Sequence, residues 1–538
     1  MGEFLTPEKL YEDFKEKKIS EADLENSIIS LIENHEDYHI RAKSIGLIGK
    51  IGLRSEEIFK VLELSVISEV YNNVREAAIK VLIQLFPKNC VEPIKWILEQ
   101  AIKSNKMDFI PLSVLIFDCV YWNEIKEWDE LRKELYSQLS NEIEHYLNDG
   151  VKHDEAIILA LIEKLDGVKI EKLDYYENIH ELSTDYHHHY KINKDGHVLG
   201  LDFFPASDPG EIPFFPEHTY FLTHLEEINM VYESIEKIPD SIGKLNRLKK
   251  IVLMSNHLES IPESIGNLKT LKELNLCDNH IKNIPDSIGS LKNLKSLNLS
   301  ENKIEKLPES IGNLRILATL GLGFNKIKNI PSSIGNLTVL KELDLCDNHI
   351  KSIPRSIGML QSLKMLRLGV TNTTEIPSSI KNLLNLEDLS INGGNFEEFP
   401  DWIGDLHLLK KLNLMNNKIR EIPQSMQNLN ELTSLHLDNN ELKAFPAIVC
   451  ELKSLTHLSL NNNKLKEIPD YINKLSSLSA LYLNNNNISE IPESVEKINS
   501  LSRLHLNNTL IKEVPDVLKR MKNLRHLEIN NKKYLKFH

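Results

Sequence analysis

The segment LKELNLCDNHIKNIPDSIGSLKN occupies residues 271–293, and LKSLNLSENKIEKLPESIGNLRI follows it directly at residues 294–316. The two align without a gap. Leu271, Leu274, Leu276, Asn279, Ile281, Ile284 and Pro285 of the first return 23 residues later as Leu294, Leu297, Leu299, Asn302, Ile304, Leu307 and Pro308. The same step runs outward in both directions, so that thirteen prolines stand 23 residues apart from Pro239 to Pro515. A period held that strictly marks a chain built by stacking one small unit, not by closing a single core.

The spacing dictates what each copy does. In a Leu-x-Leu stretch the two leucines point to one face of a short strand, and the residue between them points to the other. The leucine three residues earlier and the isoleucine after the Asn belong to the inward set. The Asn is expected to turn inward where strand pairing stops and to bond backbone groups of neighbouring turns. Proline, with a fixed φ and no donor to satisfy, helps a compact return segment that starts at sequences such as Ser287-Ile288-Gly289. Fourteen strand-bearing copies begin at Leu225, Leu248 and Leu271 and continue to Leu524. At about 4.8 Å per strand they predict a parallel inner sheet with an arc of roughly 65 Å. The Asn is replaced by Glu233 in the first copy, by Thr371 and Gly394 in two central copies, and by Thr509 near the end. End copies are expected to be atypical. The central pair is open to a change of curvature, a ligand contact or drift.

Residues 1–165 have a different texture, poor in glycine and with apolar residues at helical spacing, as in Ile58-Phe59-Lys60-Val61-Leu62. Ile40-Arg41-Ala42 and Val74-Arg75-Glu76, 34 residues apart, share an apolar residue followed by Arg, opening a helix in each case. The Arg is expected to tie neighbouring turns by bonding carboxylates or carbonyls. A third copy near Ile110 carries Pro111 in place of Arg. Residues 166–224 read as a linker and an N-terminal cap, with a β-hairpin around Asp195-Gly196 and a Phe/Pro-rich cover from Phe203 to Phe221. The expected organisation is therefore a helical repeat domain at 1–165, the linker and hairpin at 166–224, and the repeat array at 225–538.

With its frame written out, the 23-residue unit resembles the intracellular leucine-rich-repeat class. That class includes Ras-associated plant proteins, the Scribble and Erbin proteins and the repeat regions of ROCO proteins. The likeness covers about residues 225–530. It implies an α/β solenoid, a leucine-rich-repeat horseshoe with a parallel concave sheet. The helical part resembles HEAT-type adaptor repeats and implies an N-terminal all-α domain. Several members of these families regulate small GTPases or organise signalling complexes. A P-loop GxxxxGK[ST] is absent from the sequence, so the ROCO GTPase module is not implied.

Composition narrows the function. The chain has 538 residues and a net charge of −14. Residues 1–240 carry about −22 and residues 241–538 about +8. The acidic first part disfavours nucleic acid and anionic membrane as partners. Five cysteines without CxxC spacing fit a reducing, cytoplasmic setting. The sequence has no apolar run long enough for a membrane span. The N-terminal Met1-Gly2 with Thr6 matches a myristoylation pattern only formally. His187-His188-His189 is the one run that suggests a metal, but neighbours on a strand face opposite ways and do not converge. Cys277 and Cys346 lie three repeats apart, about 14 Å, too far for a disulfide or a shared metal. Their neighbours His280 and His349 reflect tandem duplication. No catalytic constellation, cofactor or metal is expected.

The expected function is a non-enzymatic protein-interaction scaffold or adaptor, by resemblance in intracellular signalling. The alternatives are an enzyme hidden in the helical half and a purely structural assembly component. Its partner is another protein, held on the concave face by residues at offsets of two, four, six and seven from the first Leu of each copy. In the early copies these offsets carry the acidic Glu273, Asp278, Glu301, Glu342, Asp344 and Asp347, which suit a basic segment. Apolar anchors follow at Phe324, Met365, Val370 and Met415. The late copies carry His436, His457, Tyr482, Arg503 and His505. Oligomeric state is left open.

Overall fold

The computed structural model describes residues 6–104 except 88, 139–165, 170–172, 188–203, 215–370, 375–529 and 531–535. The chain divides into two compact units, residues 1–202 with 215–225, and residues 203–214 with 226–538.

The first unit opens with six helices: α1 Pro7–Lys15, α2 Glu21–Asn34, α3 Tyr38–Ile51, α4 Glu56–Ser68, α5 Asn72–Leu85 and α6 Val91–Ser104. Local chemistry sets their ends. Thr6 caps α1 ahead of Pro7, Ser20 and Asp23 form a reciprocal capping box on α2, and α3 stops at Gly52 in a left-handed conformation. Alternate helices pack, α3 on α5 and α2 on α4, while α2 pairs with α3 and α4 with α5, giving two helical layers. Leu24, Ile28, Ile45, Ile48, Ile58, Leu62, Ile79 and Leu82 are the sealed core between them.

Arg41 performs the expected tie. Its guanidinium grips both oxygens of Glu69 at 3.0 Å and donates to the carbonyls of His35 at 2.7 Å and Glu36 at 3.2 Å. Tyr38 and Tyr71, which precede the two Arg-bearing segments, stack at 4.5 Å. The third copy around Pro111 lies outside the described residues.

Two further helices, α7 Ser140–Asn148 and α8 His153–Leu165, belong to this unit, with strands β1 Ile170–Lys172, β2 His188–Ile192 and β3 Val198–Phe203. The expected hairpin forms. β2 and β3 are antiparallel, and Asn193 Oδ1 accepts from the N–H groups of Asp195 and His197 in the turn. Gly196 has φ +84°, and a Cβ there would strike the Gly150 carbonyl. The hairpin is tied to its own unit: Gly196 O accepts from Lys152 N at 2.9 Å, and Tyr190 donates to Asp149 at 2.6 Å.

The second unit carries the repeats. Its described residues contain fourteen parallel strands, β4 Glu227–Met230 to β17 His526–Ile529, one per copy. Each pairs with the next at a shift of 23, as in Leu274↔Leu297 and Leu297↔Leu320. An unforeseen strand, β18 Lys532–Leu535, folds back antiparallel on β17. Return segments are short 3-10 turns entered through the repeated proline, for example Asp286–Ser290 after Pro285 at φ −69°. The glycine of that turn permits close stacking: a Cβ on Gly312 would meet the Ser333 carbonyl and Cβ.

The inward leucines are fully buried, and the Asn of each regular copy is buried beside them. Asn302 Nδ2 donates to the carbonyls of Leu276 (2.9 Å), Leu299 (3.2 Å) and Ser300 (3.1 Å), while its Oδ1 accepts from Ile281 N–H at 2.9 Å. The bonds repeat at Asn256, Asn279, Asn325 and Asn348, and the donor half of the pattern resumes at Asn417. Around the two copies that lack it the strands lengthen. β9 Glu342–Ile350 has nine residues, β10 Met365–Val370 six and β11 Asp388–Asn392 five, against three in β5 to β8. Ile327 N–H is taken by Asn348, whereas Ile350, whose partner would be Asn at 371, pairs with Val370 instead. Near the end Thr509 Oγ1 donates to Leu506 O at 2.9 Å, a partial substitute. Replacing Asn302 by Ala strands buried backbone groups in two neighbouring turns. It should lower stability by about 2–4 kcal/mol, read as a shift of the urea midpoint with an unchanged fold by circular dichroism.

Candidate interaction surface

Strand residues that alternate with the buried leucines form one continuous outward face of the second unit. Glu273, Asp344, Met365, Met415, His436, Tyr482 and His505 are half-buried on it, while Glu342, His457 and Arg503 are exposed. Backbone pairing sets their order: Met365 lies beside Glu342 and Asp388, and Tyr482 beside His505. A groove of about 400 Å³ runs across β7 Ser296–Asn298 to β10, lined by Ser296, Ser300, Thr319, Glu342, Asp344, Met365 and Arg367.

Arg367 was missed among the candidates although it occupies offset four, the same column as Asp344. Its guanidinium reaches Asp388 at 3.1 Å and Asp344 at 3.6 Å. The acidic patch is therefore partly neutralised at its β10 edge, and Asp278, Glu301 and Glu342 lie in the copies before it. Val370 also departs from expectation. Its backbone is drawn into β10 opposite Ile350, and it does not take the conformation that offset seven has in the other copies.

That conformation is left-handed. Asp278, Glu301, Phe324 and Asp347 have φ of 55°, 55°, 54° and 47°, and the backbone N–H groups of Asp278, Glu301 and Phe324 donate to carbonyls of the next copy. All four are exposed, Phe324 at 56%. In the later copies the same offset holds Gly393, Asn416, Asn439, Asn462, Asn485 and Asn508. Those asparagines bond one another, Asn439 to Asn416 at 2.7 Å and Asn485 to Asn462 at 2.6 Å.

Burial lowers the affinity of His436 and His505 for protons, so the later copies present neutral imidazoles at neutral pH. The thiols move the other way. Burial, then the Asp344 carboxylate, pushes Cys346 up to about 12, and burial followed by Glu301 and Asp278 raises Cys277. Neither offers a thiolate near neutral pH.

In the first unit, Glu155, His197 and His224 bring three possible ligand atoms together. Both Nδ1 atoms share Glu155 Oε1, at 3.0 and 3.1 Å, and Val198 N–H donates to Oε2. The rings lie face to face, 3.7 Å apart and only 22° from parallel. An ion bound by two imidazoles sits in the plane of both rings, about 2 Å from each nitrogen. Planes so nearly parallel do not meet that close, so this arrangement fits a hydrogen-bonded clasp between helix, hairpin and following segment and not a metal. His187 lies outside the described residues.

A model of the leucine-rich repeat region matches residues 263–347, 325–415, 379–462 and 446–537, which together span just over half of the chain. The chain belongs to the leucine-rich-repeat proteins. A search of curated proteins gives no match. Among solved structures, a leucine-rich-repeat protein of Leptospira interrogans is 34% identical, with TM-score 0.56, over 58% of this chain and 80% of that one. An internalin of Listeria monocytogenes shares the fold at 24% identity and TM-score 0.51, over 56% and 85%. The Arabidopsis receptor kinase HAESA, solved with the peptide hormone IDA and the co-receptor SERK1, is 28% identical with TM-score 0.52, over 63% and 64%. Among the described residues of this leucine-rich-repeat protein, no helix is long and apolar enough to cross a membrane.

The depressed histidines set a sign for pH dependence. As pH falls through about 6.5 the unfolded chain takes up protons before His436 and His505 do in the fold, so stability is lost in that window. The double variant His436→Gln, His505→Gln should show a smaller drop in urea midpoint between pH values of about 7.5 and 5.5 than the unaltered chain. The raised thiols predict that Cys277 and Cys346 react with a disulfide reagent at mildly alkaline pH far more slowly than free cysteine, and reach its rate only in denaturant.

Proposed function

We propose that this leucine-rich-repeat protein is a non-enzymatic interaction scaffold that holds a partner protein, through a basic segment, on the outward strand face of its early repeats. The observation that carries the reading is the composition of that face. A groove lined by Met365, Glu342, Asp344 and Arg367 lies on the strands that lead into the exposed Glu301, Phe324 and Asp347. An apolar anchor surrounded by charges is how protein interfaces combine affinity with selection. Carboxylates on one side favour a cationic partner and speed its encounter. The similar HAESA structure holds a peptide hormone and a co-receptor, which supports the same use of the fold here. The thiols beside the face are protonated, which supports a binding role over a nucleophilic one. By resemblance to the intracellular class the setting is cytoplasmic signalling, including regulation of small GTPases.

Capture of the intact chain's partner from the native cell, followed by titration, tests this. Phe324→Ala with Met365→Ala should weaken binding by about 1–3 kcal/mol without unfolding the array. Asp347→Lys should slow association more than it speeds release, and the effect should shrink as salt is raised. Lys306→Glu, exposed and outside the strands, is the control. Loss of affinity in the control alone would overturn the assignment. Lys292 is unsuitable for that purpose, because its ammonium donates to the Gly289 and Asn313 carbonyls.

A further inference from the structure

The left-handed column at offset seven is one backbone position solved in two ways. From Asn416 onward it holds Asn, the side chain that tolerates this conformation best after Gly, and the asparagines bond each other in two runs, Asn416 with Asn439 and Asn462 through Asn485 to Asn508. In the early copies the same conformation is imposed on Asp278, Glu301, Phe324 and Asp347. Glu and Phe have no local hydrogen bond with which to offset the crowding of Cβ against the carbonyl. Phe324 moreover leaves 56% of its surface in water. Glu301 and Phe324 therefore cost stability where Asn would not, and among the described residues no side-chain hydrogen bond or ion pair joins the four to each other. Residues held in strained backbone and turned outward are characteristic of contact positions.

We infer that this column is the contact line of the face proposed above, on which reading the inference rests. Its ligand is an extended segment of the form Lys-x-apolar-x-Lys that lies along the column, across the strand ends. Neighbouring strands are about 4.8 Å apart, which places Glu301, Phe324 and Asp347 at roughly 5, 10 and 14 Å from Asp278. In an extended chain the side chains on one face recur about every 6.6 Å. A first Lys set between Asp278 and Glu301 puts the apolar residue over Phe324 and the second Lys over Asp347. The intervening residues point to solvent, so they are free in type.

The test uses the full-length chain and a fluorescein-labelled peptide, Ser-Lys-Thr-Val-Thr-Lys-Ser, followed by anisotropy. A peptide with both Lys replaced by Glu is the control. The column variant carries Asp278→Asn, Glu301→Asn, Phe324→Asn and Asp347→Asn. The strand variant carries Glu342→Gln and Asp344→Asn. The expected result is twofold: the column variant melts at or above the temperature of the unaltered chain, and it binds the Lys peptide at least about tenfold more weakly. If the column variant melts lower, the column is structural and the inference falls. If the column variant still binds and the strand variant does not, the contact line is wrong while the face stands. Equal binding of the Lys and Glu peptides by the unaltered chain overturns the ligand class, and titration of the captured partner then decides the face separately.

Discussion

Every copy of the array has to end a strand inside a wall of leucine. Strand pairing satisfies backbone groups for only a few residues, after which the chain must turn while still buried. The inward Asn resolves this, because one amide carries two donors and an acceptor at the spacing of successive turns. In Asn302 the three carbonyls and one N–H it serves belong to its own copy and the copy before it. The buried amide ties each regular copy to the one before it. The left-handed rim does not depend on it, since Tyr232, Gly393 and Asn508 keep positive φ ahead of Glu233, Gly394 and Thr509.

Much of this was legible because burial problems repeat with the sequence. The strand positions, the role of the Asn and the proline-led return were read from residues 271–316 alone. Arg41 was also legible: an Arg after an apolar residue at the start of a helix needs acceptors, and Glu69 with two carbonyls supplies them. What stayed hidden was mostly conformation and pairing. Nothing in Phe324 announces positive φ. The signal lay in its equivalents, Asn416, Asn439 and Asn462, whose residue type favours it. Arg367 carries no signal in its residue type, since its pairing with Asp344 and Asp388 depends on strands that only the fold brings together. Strand β18 lacks the repeat frame, so periodicity could not reveal it.

The outward face is not uniform. Early copies present carboxylates around apolar side chains, with Arg367 clamped between two aspartates. Later ones present asparagines, already bonded to each other, and imidazoles kept neutral by burial. A surface whose polar groups are satisfied by their neighbours gains little by exchanging them for a partner's. The contrast separates a face suited to recognition from one occupied with its own cohesion.

The two central copies without Asn have a consequence for how disturbances travel. Neighbouring copies are coupled through main-chain pairing, which ignores residue type, and through the buried amides, which depend on it. Thr371 and Gly394 supply no such amide, and the connection there rests on the lengthened strands β9, β10 and β11 with side-chain bonds such as Arg367 to Asp344 and Asp388. In the nearest-neighbour description of repeat arrays, a weaker junction divides the cooperative unit. Protection gained by gripping the run from Asn256 to Asn348 is then spent mainly within that run, and the run resuming at Asn417 keeps its own rhythm of opening and closing.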